Sequence, residues 1–366
     1  MTRPMASPPP TGSAPGSPGA AARIPMGSLF AVRLRGELRI ALLIVVGLAL
    51  VPLFVSSPYW LGVLVVSLYF AILATGWNLL AGYAGQFSLA PAAFAMLGAY
   101  VPALLAWHWQ VSILVGIPLA ALVTGGVGYL LGRIVTRLSG PYLALTTLSF
   151  AEILRLVFYN SYEFTRGDQG LNVPALLDSR VDYYWLFVAL LAAVLGCVWA
   201  LLRGRGGRFL LAIRDDPLGA ASRGIDVVRW KSIAFAVSCA LCGIAGAFYG
   251  PFAQLVSPEL GLIAQTGMVL AMVVIGGSGT LVGPLIGALL VYLTSEWLRD
   301  FGGIQLIVFA ALVILFARFL PDGLWGLARR LASGRTAPPA PTAPPGPSTA
   351  GARPAAPGAS AAPVTR

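Results

Sequence analysis

The chain has 366 residues, of which 58% are hydrophobic and only 10% charged, and its net charge is +11 at pH 7. A soluble domain carries about 25% charged side chains, so this composition excludes a water-soluble globular protein and points to a polytopic membrane protein. The three cysteines, Cys197, Cys239 and Cys242, all lie in apolar runs; no structural disulfide is indicated, and Cys239-x-x-Cys242 offers two ligands where a zinc site wants four.

In chain order, residues 1–28 are rich in Pro, Gly, Ala and Ser and are expected to be disordered. The first apolar run starts near Ile40 with no small-x-small cleavage site after it, so an uncleaved signal anchor is expected rather than a signal peptide. Ten segments are candidate spans when judged against the roughly 20 apolar residues a bilayer demands. They are 40–57, 60–80, 87–106, 111–132, 141–160, 183–202, 232–251, 262–275, 280–295 and 304–320. The third is interrupted by Pro91 and Pro102, and the eighth and ninth are short and separated only by IGGSGTLVGP. The Ala/Pro-rich tail 333–366 is again expected to be disordered. The predicted fold is all-α: a polytopic transmembrane helical bundle of about ten spans over residues 29–332, between two disordered tails.

Charge sets the orientation. With residues 1–39 in the cytoplasm, ten spans place 133–138, 203–231 and 321–366 on the same side, so both termini are cytoplasmic. That side, counting Arg318, holds 20 of the 24 basic residues. The other side holds Arg166, Arg180 and Arg299 among several acids, and Arg155 lies within span five. This asymmetry is the positive-inside pattern. The basic excess is therefore a topology signal; lipid is the expected surroundings and nucleic acid is not an expected partner.

The longest charged interval inside the apolar chain is 207–231, GRFLLAIRDDPLGAASRGIDVVRWK. Asp216 suits a helix N-cap, Pro217 the first helical position and Gly224 the left-handed residue just past the end. The helix between them is two turns long and Ala-rich, too small to stand without support at both ends. Two Gly-rich interruptions fall near membrane depth: WNLLAGYAGQFSLAPAAFAMLGAY at 77–100, containing Gly82, Gly85 and Gln86, and VIGGSGTLVGPLIGA at 274–288, containing Gly276, Gly277 and Gly279. Gly and Pro disfavour a continuous helix there. Broken backbone at that depth is buried in protein or lines a cavity, as in many transport pathways; a tight turn at the cytoplasmic surface fits equally. Glu152 and Arg155 share a face of span five, where an intramembrane pair serves packing, topology or gating. Gly128-x3-Gly132, Gly246-x3-Gly250 and Gly283-x3-Gly287 fit close helix packing. Lys231 is the only lysine and is preceded by Trp230, so the chain has no P-loop. No catalytic dyad or metal cluster is evident, and His108 between Trp107 and Trp109 reads as an interfacial residue.

These blocks, together with GPYLALTTLSFAEILRLVF, FAVSCALCGIAGAFYG with SPEL, and the terminal LPDGLWG, resemble the LivM-type permease subunits of high-affinity branched-chain amino acid ABC importers over roughly residues 70–326. The resemblance implies a non-enzymatic permease in the cytoplasmic (inner) membrane, partnered by a LivH-like second permease, two cytoplasmic ATP-binding subunits and an extracytoplasmic amino-acid-binding protein. ATP would be used by those partners, and the chain itself would need no cofactor. Within that scheme 207–231 looks like the cytoplasmic coupling loop, with Asp216, Pro217, Ala220, Ala221 and Gly224 meeting the ATPase. Leu218 and Gly219 stand where the common motif has a Glu context, and the spacing from Ala221 to Gly224 is one residue short. Gly82, Gly85, Gln86, Glu152, Arg155, Gly276, Gly277 and Gly279 are candidates for the pathway or its gate. Leu, Ile and Val are the default cargo; urea, short amides or other amino acids are carried by related permeases. A self-contained secondary transporter or channel is the reading from a different class, and a single buried carboxylate, Glu152, argues against a proton-coupled one.

Overall fold

The computed structural model describes residues 26–55, 57–135, 138, 140–299, 310–311, 314–315, 318–319 and 323–333. The α-helices with defined bounds are α1 Met26–Leu50, α2 Pro58–Asn78, α3 Pro91–Trp109, α4 Ile113–Val135, α5 Pro141–Asn160, α6 Tyr162–Thr165, α7 Arg180–Arg203, α8 Arg205–Asp215, α9 Pro217–Ser222, α10 Val227–Ala253, α11 Ile263–Gly276, α12 Gly283–Trp297 and α13 Gly323–Ser333. The sole strand pairing among the described residues is a two-residue antiparallel match of β1, Leu171–Asn172, with β2, Leu255–Val256. The all-α reading stands.

Seven helices in the described residues are long and apolar enough to cross a membrane: Leu34–Leu53, Pro58–Tyr83, Pro91–Trp109, Ile113–Val135, Pro141–Asn160, Arg180–Arg203 and Val227–Ala253. They match the first seven expected spans. The eighth and ninth correspond to α11 and α12, of 14 and 15 residues. At about 1.5 Å per residue each covers little more than 20 Å, short of a roughly 30 Å hydrocarbon core. Only residues 310–311, 314–315 and 318–319 of the expected tenth span are described, all helical. Of the expected tails, 1–25 and 334–366 lie outside the described residues; Met26–Ser28 already belong to α1 and Ser333 ends α13.

Three boundaries differ from expectation for identifiable reasons. The helix begins well before Ile40, because its first turns carry Arg33, Arg35, Glu37 and Arg39 and read as polar, although Leu34 and Glu37 are buried. Pro91 does not interrupt the third span; it starts α3 at the position where a missing N–H costs nothing. Pro102 sits inside a helix that continues to Trp109.

Helix α2 is the centre of the bundle. It is apolar on every face and buried from Ser67 through Asn78 without interruption. Around it pack α7, α10, α11 and α12, while α3, α4 and α10 form a second tight set. Small residues permit that closeness: a side chain on Gly98 of α3 would collide with the backbone of Gly243 in α10, and one on Gly128 of α4 would lie 2.6 Å from the Cβ of Cys239. In a bilayer, where lipid is as apolar as leucine, such close contact is what holds helices together. Cys239 and Cys242 belong to this packing, the latter touching the space beside Gly76. By contrast, α1 and α5 are buried over only 17% of their apolar windows and stand at the periphery.

The helices run between two ends that group the segments as the span count predicts. At one end β1, from the segment after α5, pairs with β2, from the segment after α10. His108 Nε2 donates to the Phe164 carbonyl there at 2.9 Å, its ring stacked on that of Phe164. Arg166 lies over the Trp107 ring. At the other end lie α8, α9, Glu37 and the loop between α11 and α12, linked as described next.

Candidate functional site

The end of the bundle that carries the basic segment 203–231 is built around α8 and α9. Helix α8 (RGGRFLLAIRD) turns Leu210 and Ile213 into the bundle, and Gly206 leaves room for the Trp230 ring 2.8 Å from where a Cβ would stand. Asp216 ends α8 and caps α9: its carboxylate accepts from the Leu218 N–H at 3.0 Å. Pro217 takes the first helical position, and Gly224 adopts φ 82° past the end, so the expected caps are present. A side chain on Gly219 would require the capping Asp216 carboxylate to shift. Ala221 and Gly224 are exposed, but Ala220 is buried and seats α9 on the bundle. Leu218, not singled out as a contact residue from sequence, is 83% exposed and is the apolar tip of the loop.

The two Gly-rich interruptions, read separately in the sequence, meet in space. After Asn78 the α-helix widens into a π turn, Leu79–Tyr83, then breaks over 84–90 before α3. The second interruption is the loop 277–282 between α11 and α12, where Gly277 and Gly279 have φ 118° and 71°. The Asn78 side chain joins them: Nδ2 donates to the Thr280 carbonyl at 2.8 Å, and Oδ1 accepts from the Gly279 N–H at 2.8 Å. Gly82 lies so close that a Cβ would be 2.6 Å from the Gly279 nitrogen. Glu37 of α1 accepts from the Leu281 N–H at 3.1 Å. This explains the shortness of α11 and α12: their inner ends abut protein, and the loop's polar groups are satisfied there.

Arg214 closes the assembly. Its Nη1 donates to the Gly82 carbonyl at 2.8 Å, and its stem passes over Gly85, where a Cβ would stand 2.7 Å from Arg214 Cγ. Further along the break, the Trp77 indole donates to the Ser88 carbonyl at 2.7 Å, and the Leu89 N–H donates to Thr147 of α5 at 2.9 Å. Gln86 is 2% exposed, yet neither its amide nitrogen nor its oxygen meets a hydrogen-bonding partner. A buried group left so costs about 1–3 kcal/mol. Thus Gly82, Gly85, Gln86, Gly276, Gly277 and Gly279 gather at one end of the bundle, together with Asn78, Glu37 and Arg214. Those three were not singled out from the sequence; a polar or charged residue at the edge of an apolar run was the available signal.

Glu152 and Arg155 lie elsewhere, on α5. Arg155 Nε donates to Glu152 Oε2 at 3.0 Å; the Glu152 side chain is 44% exposed and that of Arg155 19%. The pair faces outward from this chain. At the opposite end, a cavity of about 490 Å³ opens between α2, α7 and α12, with Asp178, Arg180, Glu296 and Arg299 at its wall. The hydrogen bond from Arg299 to Glu296, 3.0 Å long, holds that guanidinium's pKa above its ordinary value. Among the described residues no group of three or more His, Cys, Asp or Glu is placed to hold a metal ion.

Comparison with known proteins places this architecture. Residues 59–317 match the family model of the branched-chain amino acid transport system permease component. The chain is 32% identical over 327 residues to the high-affinity branched-chain amino acid transport system permease protein LivM of Salmonella typhimurium, covering 79% of this chain and 77% of that one. It is 31% identical over 317 residues to LivM of Escherichia coli, covering 77% and 74%. Similarity extends to the fructose import permease protein FrcC of Rhizobium meliloti, at 30% over 208 residues, or 52% of this chain and 56% of that one. No solved structure matches. A multi-pass bundle with these spans and these relatives belongs to the branched-chain amino acid transport permease family.

Proposed function

We propose that this chain is one of two permease subunits of an ABC importer that carries leucine, isoleucine and valine into the cytoplasm across the cytoplasmic membrane, driven by ATP hydrolysis in two partner subunits and supplied by an extracytoplasmic binding protein. The observation that carries this reading is α9: a short helix capped at both ends, held on the bundle by Ala220 and presenting Leu218, Ala221 and Gly224 outward. Such a helix has no core of its own to build, and small side chains let a partner's surface approach its backbone closely. The sequence contains no P-loop, so energy from ATP would have to enter through such a contact. The chain itself performs no bond chemistry and needs no cofactor of its own in this reading.

The second permease subunit is assigned to the face of α5. A single charged side chain at the middle of a membrane-spanning helix costs about 2.5–3.5 kcal/mol against lipid; pairing with Arg155 lowers that cost, yet the Glu152 side chain is still 44% exposed there. A neighbouring subunit, with the substrate path between the two, supplies the polar surroundings that hydrocarbon lacks. The docking contact is tested by copurification: tagged chain extracted from membranes should bring down the ATP-binding subunits, and Ala221→Asp should reduce their recovery at least tenfold while the permease pair stays intact. Undiminished recovery with Ala221→Asp would remove α9 as the docking element.

A further inference from the structure

The Arg214 guanidinium joins α8 to the glycine-rich break 132 positions earlier in the chain. Arg214 stands in the last turn of α8, and a single residue, Asp216, both ends α8 and caps α9. No slack separates them, so a displacement of α9 reaches Arg214 directly. From Arg214 the contacts run outward. Nη1 holds the Gly82 carbonyl of the π turn, and the stem fills the space above Gly85, whose φ of 68° and missing side chain make room for it. Nε and Nη2 are steadied by Asp215 Oδ1 at 3.3 and 3.2 Å. Behind Gly82, Asn78 continues the connection to Gly279 and Thr280, and along the break Leu89 continues it to Thr147 on α5. Arg214 thus lies where the proposed docking helix, joined to it through the backbone, meets the first glycine-rich break, which packs against the second at Gly82 and Gly279 and bonds α5 through Leu89.

Continuity alone does not make a switch; one element must have two arrangements. The break 84–90 supplies the candidate. It holds Gln86 buried with neither amide atom paired, so a second arrangement that pairs the amide would relieve a cost present in this one. We propose that Arg214 is a positioning residue that transmits movement of α9 to the glycine-rich break, and through Thr147 to α5, so that ATP turnover opens and closes the path. This rests on the reading of the chain as an ATP-driven permease.

The test uses the complete transporter in proteoliposomes, with substrate uptake and ATP hydrolysis measured on the same preparation. Arg214→Ala should leave the four-subunit membrane complex assembled and hydrolysing ATP, while ATP consumed per substrate imported rises at least fivefold. Arg214→Met keeps the aliphatic stem over Gly85 and removes the donors and their charge; it should show the same loss, and Arg214→Lys, whose ammonium keeps the charge and can still donate, should recover part of it. A wild-type ratio of ATP to substrate in Arg214→Met overturns the proposal. So does loss of the ATP-binding subunits from both Arg214→Ala and Arg214→Met, since the residue would then serve docking rather than transmission. Failure of the unaltered complex to couple ATP to uptake would instead strike the proposed function, which separates the two failures.

Discussion

Asn78 holds the end of α2 against the loop between α11 and α12 with one amide, serving as donor to Thr280 and acceptor from Gly279. Asn78→Leu keeps the volume but strands both backbone groups at a buried position, at about 1–3 kcal/mol for each one left unpaired. The thermal unfolding midpoint of the purified permease should fall by several degrees, and an unchanged midpoint would mean that the two breaks are held by packing alone. At this scale the sequence was legible where the physics is local. Asp216, Pro217 and Gly224 act within one short helix, and their order along the chain states their roles. Asn78, Glu37 and Arg214 were not legible as site residues, because their partners lie 202, 244 and 132 positions away. Ala220 shows the same limit from the other side: its small size was evident, but that it faces the bundle while Ala221 faces outward depends on where α9 lies.

Among the elements, hydrophobic length located the spans and turn chemistry located the breaks. The helices α2, α3, α4, α5, α7 and α10 fall where apolar runs of sufficient length predict them. Boundaries slipped where a helix continues beyond hydrocarbon, as in the charged first turns of α1, or where a proline begins rather than ends one, as at Pro91. The glycine-rich stretches were recognised as non-helical, but their meeting was not, since nothing in either stretch names the other. Helix α5 remains the least enclosed span apart from α1, with Glu152 and Arg155 on its outward side. If the second permease covers that face, a cysteine at the exposed Ser149 should cross-link to it under mild oxidation when the partner carries cysteines along its facing helix, in a background with Cys197, Cys239 and Cys242 replaced. Cross-linking only between copies of this chain would assign the face to self-association instead.

For the whole molecule, charge asymmetry and the arrangement of ends agree. The segment holding Arg166 and Arg180 is joined to the segment after α10 by the β1–β2 pair, while α8, α9 and both glycine-rich breaks gather at the other end. The bundle therefore has one end where the small helix α9 follows α8, whose Arg214 holds the broken backbone at Gly82, and another with an open cavity bearing charges of both signs. That division suits a subunit that receives mechanical work at one end and cargo at the other. The fold class and the family were readable from the order of sequence blocks; the cargo was not, because no motif in the chain specifies a substrate.

The most direct measurement is uptake of radiolabelled leucine into proteoliposomes that contain this chain, its partner permease and the ATP-binding subunits, with the binding protein on the outside and ATP within. The account predicts accumulation above the external concentration only when ATP and both kinds of partner are present, and none on dissipating or imposing an ion gradient. Leucine accumulation by this chain alone, driven by an ion gradient without ATP-binding subunits, would contradict it.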